Sequence, residues 1–398
     1  STINLVLFDF NRENLLPLVY TKPIAALRIG ICTIKEKWES ALQLKTSYYT
    51  AAYLAKKFPL HLDSDNLLIN ASVLPNTALN KYLTEALPYN TLLVQEGTPI
   101  ALKCDADTAQ LFFQAKANAI QTIELSQAII YLKYCWDLFR YNKEALESDF
   151  DQRCQGRDSA PLSDSNKVIG DASRIFLEKG AVAHCSIFNT ENGPIYLDKD
   201  STVMEGCMIR GGLALCEGAS LKMGSKIYGA TTIGPYSKVG GEVNNSILSG
   251  YSNKGHDGFL GNAVIGEWCN LGADTNNSNL KNNYAEVRQW NYPKKAFIST
   301  GLQFCGMIMG DHSKTGINTM FNTGTVVGVS SNIYGSDFPR SFIPSFAWGS
   351  AKRFSTYQLD KAIETAKRVV RRRQKELDEH EITILKHIFE ASKNYRNY

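Results

Sequence analysis

Leu197, Val203, Ile209, Leu215, Leu221, Ile227, Ile233 and Val239 fall one every six residues without a gap. An amphipathic helix needs apolar residues spaced by about 3.6 and a half-buried strand by about 2, so a strict period of six fits neither. It fits a parallel β-helix, in which each hexapeptide forms one short flat side and its aliphatic residue points inward onto the equivalent residues of other coils. The next position sits at a tight corner that favours small residues, as in Ile233-Gly234 and Val239-Gly240. The register returns at Ile265-Gly266 and Leu271-Gly272. It runs again through Met309-Gly310, Thr315-Gly316, Phe321-Asn322, Val327-Gly328 and Ile333-Tyr334. Residues 274–306 break the period and must leave the coil as a loop or extra strands, and interruptions of solenoids commonly carry the binding face.

The remainder of the chain reads differently. Buried-strand runs begin at Ile3 and recur at Leu67-Leu68-Ile69 and Thr91-Leu92-Leu93-Val94, with amphipathic segments at 34–44, 106–118 and 125–139. That alternation predicts an α/β domain over residues 1–146. Residues 147–166 are polar and turn-rich and read as a linker. The coil then occupies 167–350. In the tail, 351–398, Leu359, Ile363, Ala366 and Val370 are spaced as on a helix, and Leu385, Ile388 and Phe389 form a second apolar set. Two helices covering the open end of the coil, and so its unpaired strand edges, are the expectation. The Arg368–Arg373 run reads as a solvated helix face.

Composition narrows the classes. With 44% hydrophobic and 21% charged residues the chain is globular, and its net charge of +4 over 398 residues gives no reason to expect nucleic acid. Nine scattered cysteines with no CxxC argue against disulfides or structural zinc and for a reducing compartment. Neither a signal peptide nor an apolar run of membrane-spanning length stands out, so the cytoplasm is expected and no membrane partner is.

Four motifs occur in order between 242 and 318: Glu-x-x-Asn-Ser-Ile at 242–247, His-x-x-aromatic-x-Gly-x-x-x-Ile-Gly at 256–266, Asn-x-Gly-Ala at 270–273, and Gly-Asp-x-x-Lys-Thr-Gly-Ile-Asn at 310–318. In them the sequence resembles the acetyltransferase half of the bifunctional N-acetylglucosamine-1-phosphate uridyltransferase/glucosamine-1-phosphate acetyltransferase family. The resemblance implies a left-handed parallel β-helix, a homotrimer with sites between neighbours, and acyl transfer from acetyl-CoA to a sugar amine. His256 matches the family's catalytic histidine, and an imidazole with a pKa near neutrality suits a general base.

By the same matching Asn270 and Asn279 are substrate-contacting positions, and Phe259 stands where the family usually carries tyrosine. Asn244 replaces a lysine, for which Lys254 and Lys281 are candidate substitutes. Asp274 replaces a glycine, which points to a different acceptor, and His312 is a second acid/base candidate that reads as structural. Gly310, Thr315, Gly316 and Gly328 line the wall where related enzymes lay the pantetheine arm. In the first domain, a strand running into Leu16-Pro17-Leu18 and Lys22-Pro23 resembles a reduced sugar nucleotidyltransferase without its glycine-rich loop. Arg12 and Lys22 are the candidates for neutralising phosphate, and Asp9 for holding Mg2+.

The expected partners are therefore a sugar phosphate, a nucleoside triphosphate and an acyl-CoA, as for a nucleotide-sugar biosynthetic transferase. Two alternatives stand beside this. The coil serves only oligomerisation or regulation of a nucleotidyltransferase, or the protein binds sugar nucleotides with both sites lapsed. A histidine and a loop inserted into the coil favour the enzymatic reading, because a purely structural coil has no use for them.

Overall fold

The computed structural model describes residues 2–117 and 120–398; Asn118, the last residue of the 106–118 segment, lies outside them. The chain divides into two compact units, one of residues 1–15, 22–27 and 32–133, the other of 16–21, 28–31 and 134–398.

In the first unit Asn4–Phe8 pairs in parallel with Thr46–Tyr49 on one side and Asn66–Asn70 on the other. Thr98–Cys104 adds antiparallel to Asn66–Asn70 and to Thr91–Gln95, and Gln121–Glu124 closes the six-stranded sheet in parallel. Val6, Phe8, Leu68 and Leu102 form its core with Ala109 of the helix Ala106–Phe113. The helix Ile34–Leu42 starts at Thr33, whose hydroxyl accepts from the Glu36 amide while the Glu36 carboxylate accepts from the Thr33 amide.

No helix forms over 125–133. The Leu132 amide donates to Ser72 O, the Leu74 amide donates to Ile130 O, and Tyr131 bridges Val73. The β-branched Ile129-Ile130 pair suits this extended backbone better than a helical turn. Only Trp136–Arg140, in the second unit, is helical.

The second unit is a left-handed parallel β-helix with three flat faces. Nine parallel strands from Ile175–Leu177 to Phe342–Ile343 make the first face. The second begins at Val182–Ala183 and ends with Ala347–Gly349 and the antiparallel Phe354–Thr356. The third has six strands from Lys167–Ile169 to Phe259–Gly261, followed by the pair Asn276–Asn277 and Met320–Phe321. Every six-spaced aliphatic from Leu197 to Val239 is buried inside, as are Ile265, Leu271, Met309, Phe321, Val327 and Ile333. The period-breaking stretch leaves the coil after Asn276–Asn277 and carries the antiparallel hairpin Arg288–Asn291/Ala296–Ser299, as the sequence requires.

Two features of this unit depart from expectation. Residues 147–154, the start of the linker segment, belong to the helix Asn142–Cys154, where Leu146 and Phe150 join Phe176, Tyr196 and Ala214 in a core. The antiparallel strand Phe354–Thr356 closes the edge of the second face, and Phe389 of the tail helix Glu379–Ala391 packs edge-on against Phe346 of the last coil. The segment after the first tail helix, Leu359–Arg371, runs back along one corner of the coil. There Tyr236, Tyr251 and Trp268 stack at 5.4 and 4.4 Å, Lys375 lies over Tyr251, and Arg373 donates to Tyr236 O and Asn253 Oδ1. Stacked rings offer the cations a desolvated face that the strand edges do not. Arg373 is therefore bound to the coil, not solvated.

Candidate functional site

His256 lies in the tight corner between the second-face strand Asn253–Lys254 and the third-face strand Phe259–Gly261. Corners of successive coils stack by backbone hydrogen bonds. The Asp274 amide donates to Asp257 O, and the Asn318 amide donates to Ala273 O. His256, Asp257 and Asp274 are all exposed, with Ile317 68% exposed on a neighbouring corner. The imidazole thus meets solvent at the edge of a ladder of small residues and carboxylates.

Beyond this corner the third face supplies a wall of amides. Val243 and Leu260 point inward, so Glu242, Asn244, Phe259 and Gly261 point outward in register. The Phe259 amide donates to Asn276 Oδ1, and Asn277 exchanges hydrogen bonds with the Gly261 backbone. Asn279 Nδ2 donates to Asn262 Oδ1 at 2.9 Å, and the Asn262 amide donates to Asn244 O. The phenyl ring of Phe259 lies over Gly261, where an added Cβ would meet its Cζ at 2.4 Å and Asn279 Nδ2 at 2.8 Å. The missing side chain at Gly261 is what gives the ring its place.

The sequence candidates therefore separate. Asn244, Phe259 and Asn279 share this wall. Asn270 is exposed on the second face beside Asn253, before the corner. Lys281 lines a cavity of about 720 Å3 with Arg288, Phe297, Asn322, Phe338 and Ser341. No carboxylate lines it, and among the described residues neither cation forms an ion pair. Arg288 donates only to Phe297 O across the hairpin. Reading the sequence missed Arg288, Phe297 and Phe338, which no period or motif marks. A larger hollow, about 960 Å3, opens at the first coils among Phe150, Leu162 and Phe176, and none of the candidate residues lines it.

Lys254 is not at the surface. It is 2% exposed, its Nζ donates to Gly240 O at 2.7 Å and His256 O at 3.1 Å, and burial pulls its pKa down to about 8. It cannot offer charge to an external phosphate, which corrects its assignment as a substitute substrate lysine. Thr315 also points inward, where its hydroxyl meets that of Thr275 and accepts from the Gly272 amide. Gly316 does lie on the His256 ladder, since a Cβ on Gly272 would touch it. Gly310 and Gly328 stack on each other at a different corner. The four residues matched to the pantetheine wall thus do not form one surface. His312 is buried and has a left-handed backbone.

In the first unit Asp9 ends the strand Asn4–Phe8. Its Oδ1 accepts from the Ile24 amide and its Oδ2 accepts from Arg12 and Thr50. Burial raises its pKa against the lowering influence of Arg12. Arg12 also donates to Tyr53 Oη, and Lys22 is buried. A carboxylate already engaged by a guanidinium and two further donors does not fit a divalent cation. Among the described residues no group of three or more His, Cys, Asp or Glu side chains could hold one. No helix among them is long and apolar enough to cross a membrane.

Residues 5–158 match the sugar nucleotidyl transferase family. The match covers the first unit from residue 5 onward and the residues leading into the coil. No curated protein matches the chain in sequence. Among solved structures, a UDP-N-acetylglucosamine acyltransferase from Arabidopsis is similar at 13% identity over 52% of this chain and 77% of its own, with a TM-score of 0.25. The Campylobacter jejuni enzyme is similar at 14% identity over 58% and 96%, with a TM-score of 0.22. That of Francisella novicida is similar at 8% over 57% and 87%, with a TM-score of 0.20. At these values the likeness carries no argument about activity.

Proposed function

We propose that the protein is a transferase of nucleotide-sugar metabolism whose coil transfers an acyl group from acetyl-CoA to the amine of a phosphorylated sugar, with His256 as general base. The observation that carries this reading is the exposed imidazole at a coil corner, next to a wall of outward-facing amides. The four-motif resemblance around it and the family match of residues 5–158 point the same way.

In the proposed step the acceptor, its ammonium proton already lost to solvent, attacks the thioester carbonyl as a neutral amine while His256 takes a proton from the attacking nitrogen. The tetrahedral intermediate collapses with loss of the thiolate, and the imidazolium returns the proton to it. Atoms balance as amide plus free thiol. The carboxylates of Asp257 and Asp274 beside the imidazole favour a cationic acceptor, which must lose its proton before it can attack. Asn244 and Asn279 give neutral donors and acceptors for sugar hydroxyls, and Phe259 gives an apolar ring face. Lys281 and Arg288 would hold the phosphate of the acceptor in a cavity free of competing carboxylates. Gly316 and Asn270 flank the corner on the side where the acyl donor would approach. A homotrimer with sites between neighbours is part of the proposal.

For the first unit we propose sugar nucleotide binding, with Arg12 toward phosphate, no role for the buried Lys22 as a phosphate ligand, and no step through a metal at Asp9. The test is a substrate panel. Acetyl-CoA with amino sugar phosphates should release free thiol, and nucleoside triphosphates with sugar phosphates report nucleotidyl transfer as pyrophosphate. Thiol release with an amino sugar phosphate, and none with the parent hydroxyl sugar, is the expected result. Pyrophosphate alone would leave the coil as an assembly module, and neither product would leave a binding protein.

A further inference from the structure

On the second face of the coil, one inward-pointing position of each turn stacks on the next: Val203, Leu221, Val239, Lys254, Leu271, Thr315 and Ile333. All of them are buried. Lys254 is the one cation in this column, where an ammonium carries a heavy desolvation cost and an aliphatic side chain would carry none.

The local geometry shows what the amine does there. The column steps by 18 residues from Leu221 to Val239 but by 15 from Val239 to Lys254, so this turn is cut short. Two of the three missing residues fall at Gly240-Gly241, and the third between Val243 and Leu248. Gly241 has φ +75°, and a Cβ on it would meet Lys254 Nζ at 2.7 Å, Asp257 Cα at 2.8 Å and His256 O at 2.9 Å. The amine therefore occupies the space left beneath the His256 turn. It donates to the carbonyl of Gly240 below and to that of His256 above. The charges that face it are Asp257 on its own turn, Glu242 on the turn below and Asp274 on the turn above. Tyr228 ties Glu242 with its hydroxyl, and Asn276 ties Asp274 with its side-chain amide.

We infer that Lys254 is a positioning residue, an internal strut whose amine holds the main-chain carbonyl of His256 from inside the coil and so fixes the turn that presents the imidazole. The inference rests on His256 being the base. It adds that the base is aimed from the core and not by a side-chain partner at the surface. The exposed imidazole has no other fixed attachment of its own among the hydrogen bonds of the described residues.

Two variants and two readouts test it. Lys254→Met keeps the length of the side chain and removes the donor, and Lys254→Arg keeps a donor and the charge. In the methionine variant the amides of Glu242 and Asp274, which donate to the backbone of this turn at Gly258 and Asp257, should exchange with deuterium at least tenfold faster, with amides two coils away unchanged. Acyl transfer should lose about 10- to 100-fold in kcat with KM for acetyl-CoA within about twofold, and the arginine variant should recover part of that loss. Unchanged exchange at Glu242 and Asp274 in a folded Lys254→Met protein would overturn the strut. So would wild-type kcat, or failure of this variant to fold, which would make the amine a requirement of the fold. If His256→Ala leaves acyl transfer intact, the assignment of the base fails, and the exchange experiment still decides whether Lys254 holds the turn.

Discussion

The His256 corner and the Asp9 strand end each place one titratable side chain where a β-strand stops, and they treat it in opposite ways. At Asp9 the chain folds donors back onto the carboxylate: a guanidinium, a hydroxyl and an amide. At His256 it folds a donor onto the backbone and leaves the imidazole to solvent. A group satisfied by its own protein stabilises structure, while a group whose support comes through its main chain stays available for chemistry. The two units thus divide the work in the proposed reading. The coil keeps a reactive group, and the first unit has turned its acidic position into a structural one.

The largest effect that would sharpen this contrast is on substrate affinity at the coil. Replacing Lys281 and Arg288 together by Ala should raise KM for a phosphorylated acceptor by about 10- to 100-fold with kcat little changed, measured by thiol release. An unchanged KM would detach the cavity from the reaction.

Next comes stability at Lys254. Its pKa in the folded protein, about 8, lies below the ordinary 10.5, so the folded state binds fewer protons between those values. Wild-type stability should therefore rise with pH across that window, and the penalty for burying the ammonium is fully present below about pH 8. Lys254→Met should remove this rise, measured by thermal melting between pH 7 and 10.5. A melting curve with no pH dependence from 8 to 10.5 would break the claim that the amine is buried as a cation.

Asp9→Asn should cost about 1–3 kcal/mol, since the amide cannot accept from three donors as a carboxylate does. Acyl transfer should not change, and neither should any magnesium dependence of the protein. Phe259→Tyr should be smallest, within about 1 kcal/mol in kcat/KM. A large gain would mean that the hydroxyl usual in the resembling family is still wanted by this acceptor.

Much of the coil is legible because its physics is one-dimensional. A residue six places along a flat side returns to the interior, so Leu197 to Val239 can be counted off and their burial is expected. The same count reaches Lys254. Six steps from Leu248 and six before Leu260 both land on it, and both neighbours are buried. Its polarity, not its position, makes it read as a surface residue. What the sequence could not carry was long-range pairing. Residues 130–132 take extended partners at 72–74, and Arg373 finds Tyr236 and Asn253 more than a hundred residues away. Periodicity reports which face a residue lies on and is silent on what comes to cover it. The cavity of Lys281 and Arg288 was hidden for the same reason, because a hairpin outside the repeat builds it.

The central claim is that the exposed imidazole does the chemistry. Thiol release from acetyl-CoA with an amino sugar phosphate, compared between the wild type and His256→Ala at neutral pH, tests it most directly. A loss of about 10²- to 10⁴-fold in kcat, with the melting temperature unchanged, is the result the account predicts. Equal turnover by the two proteins would contradict it.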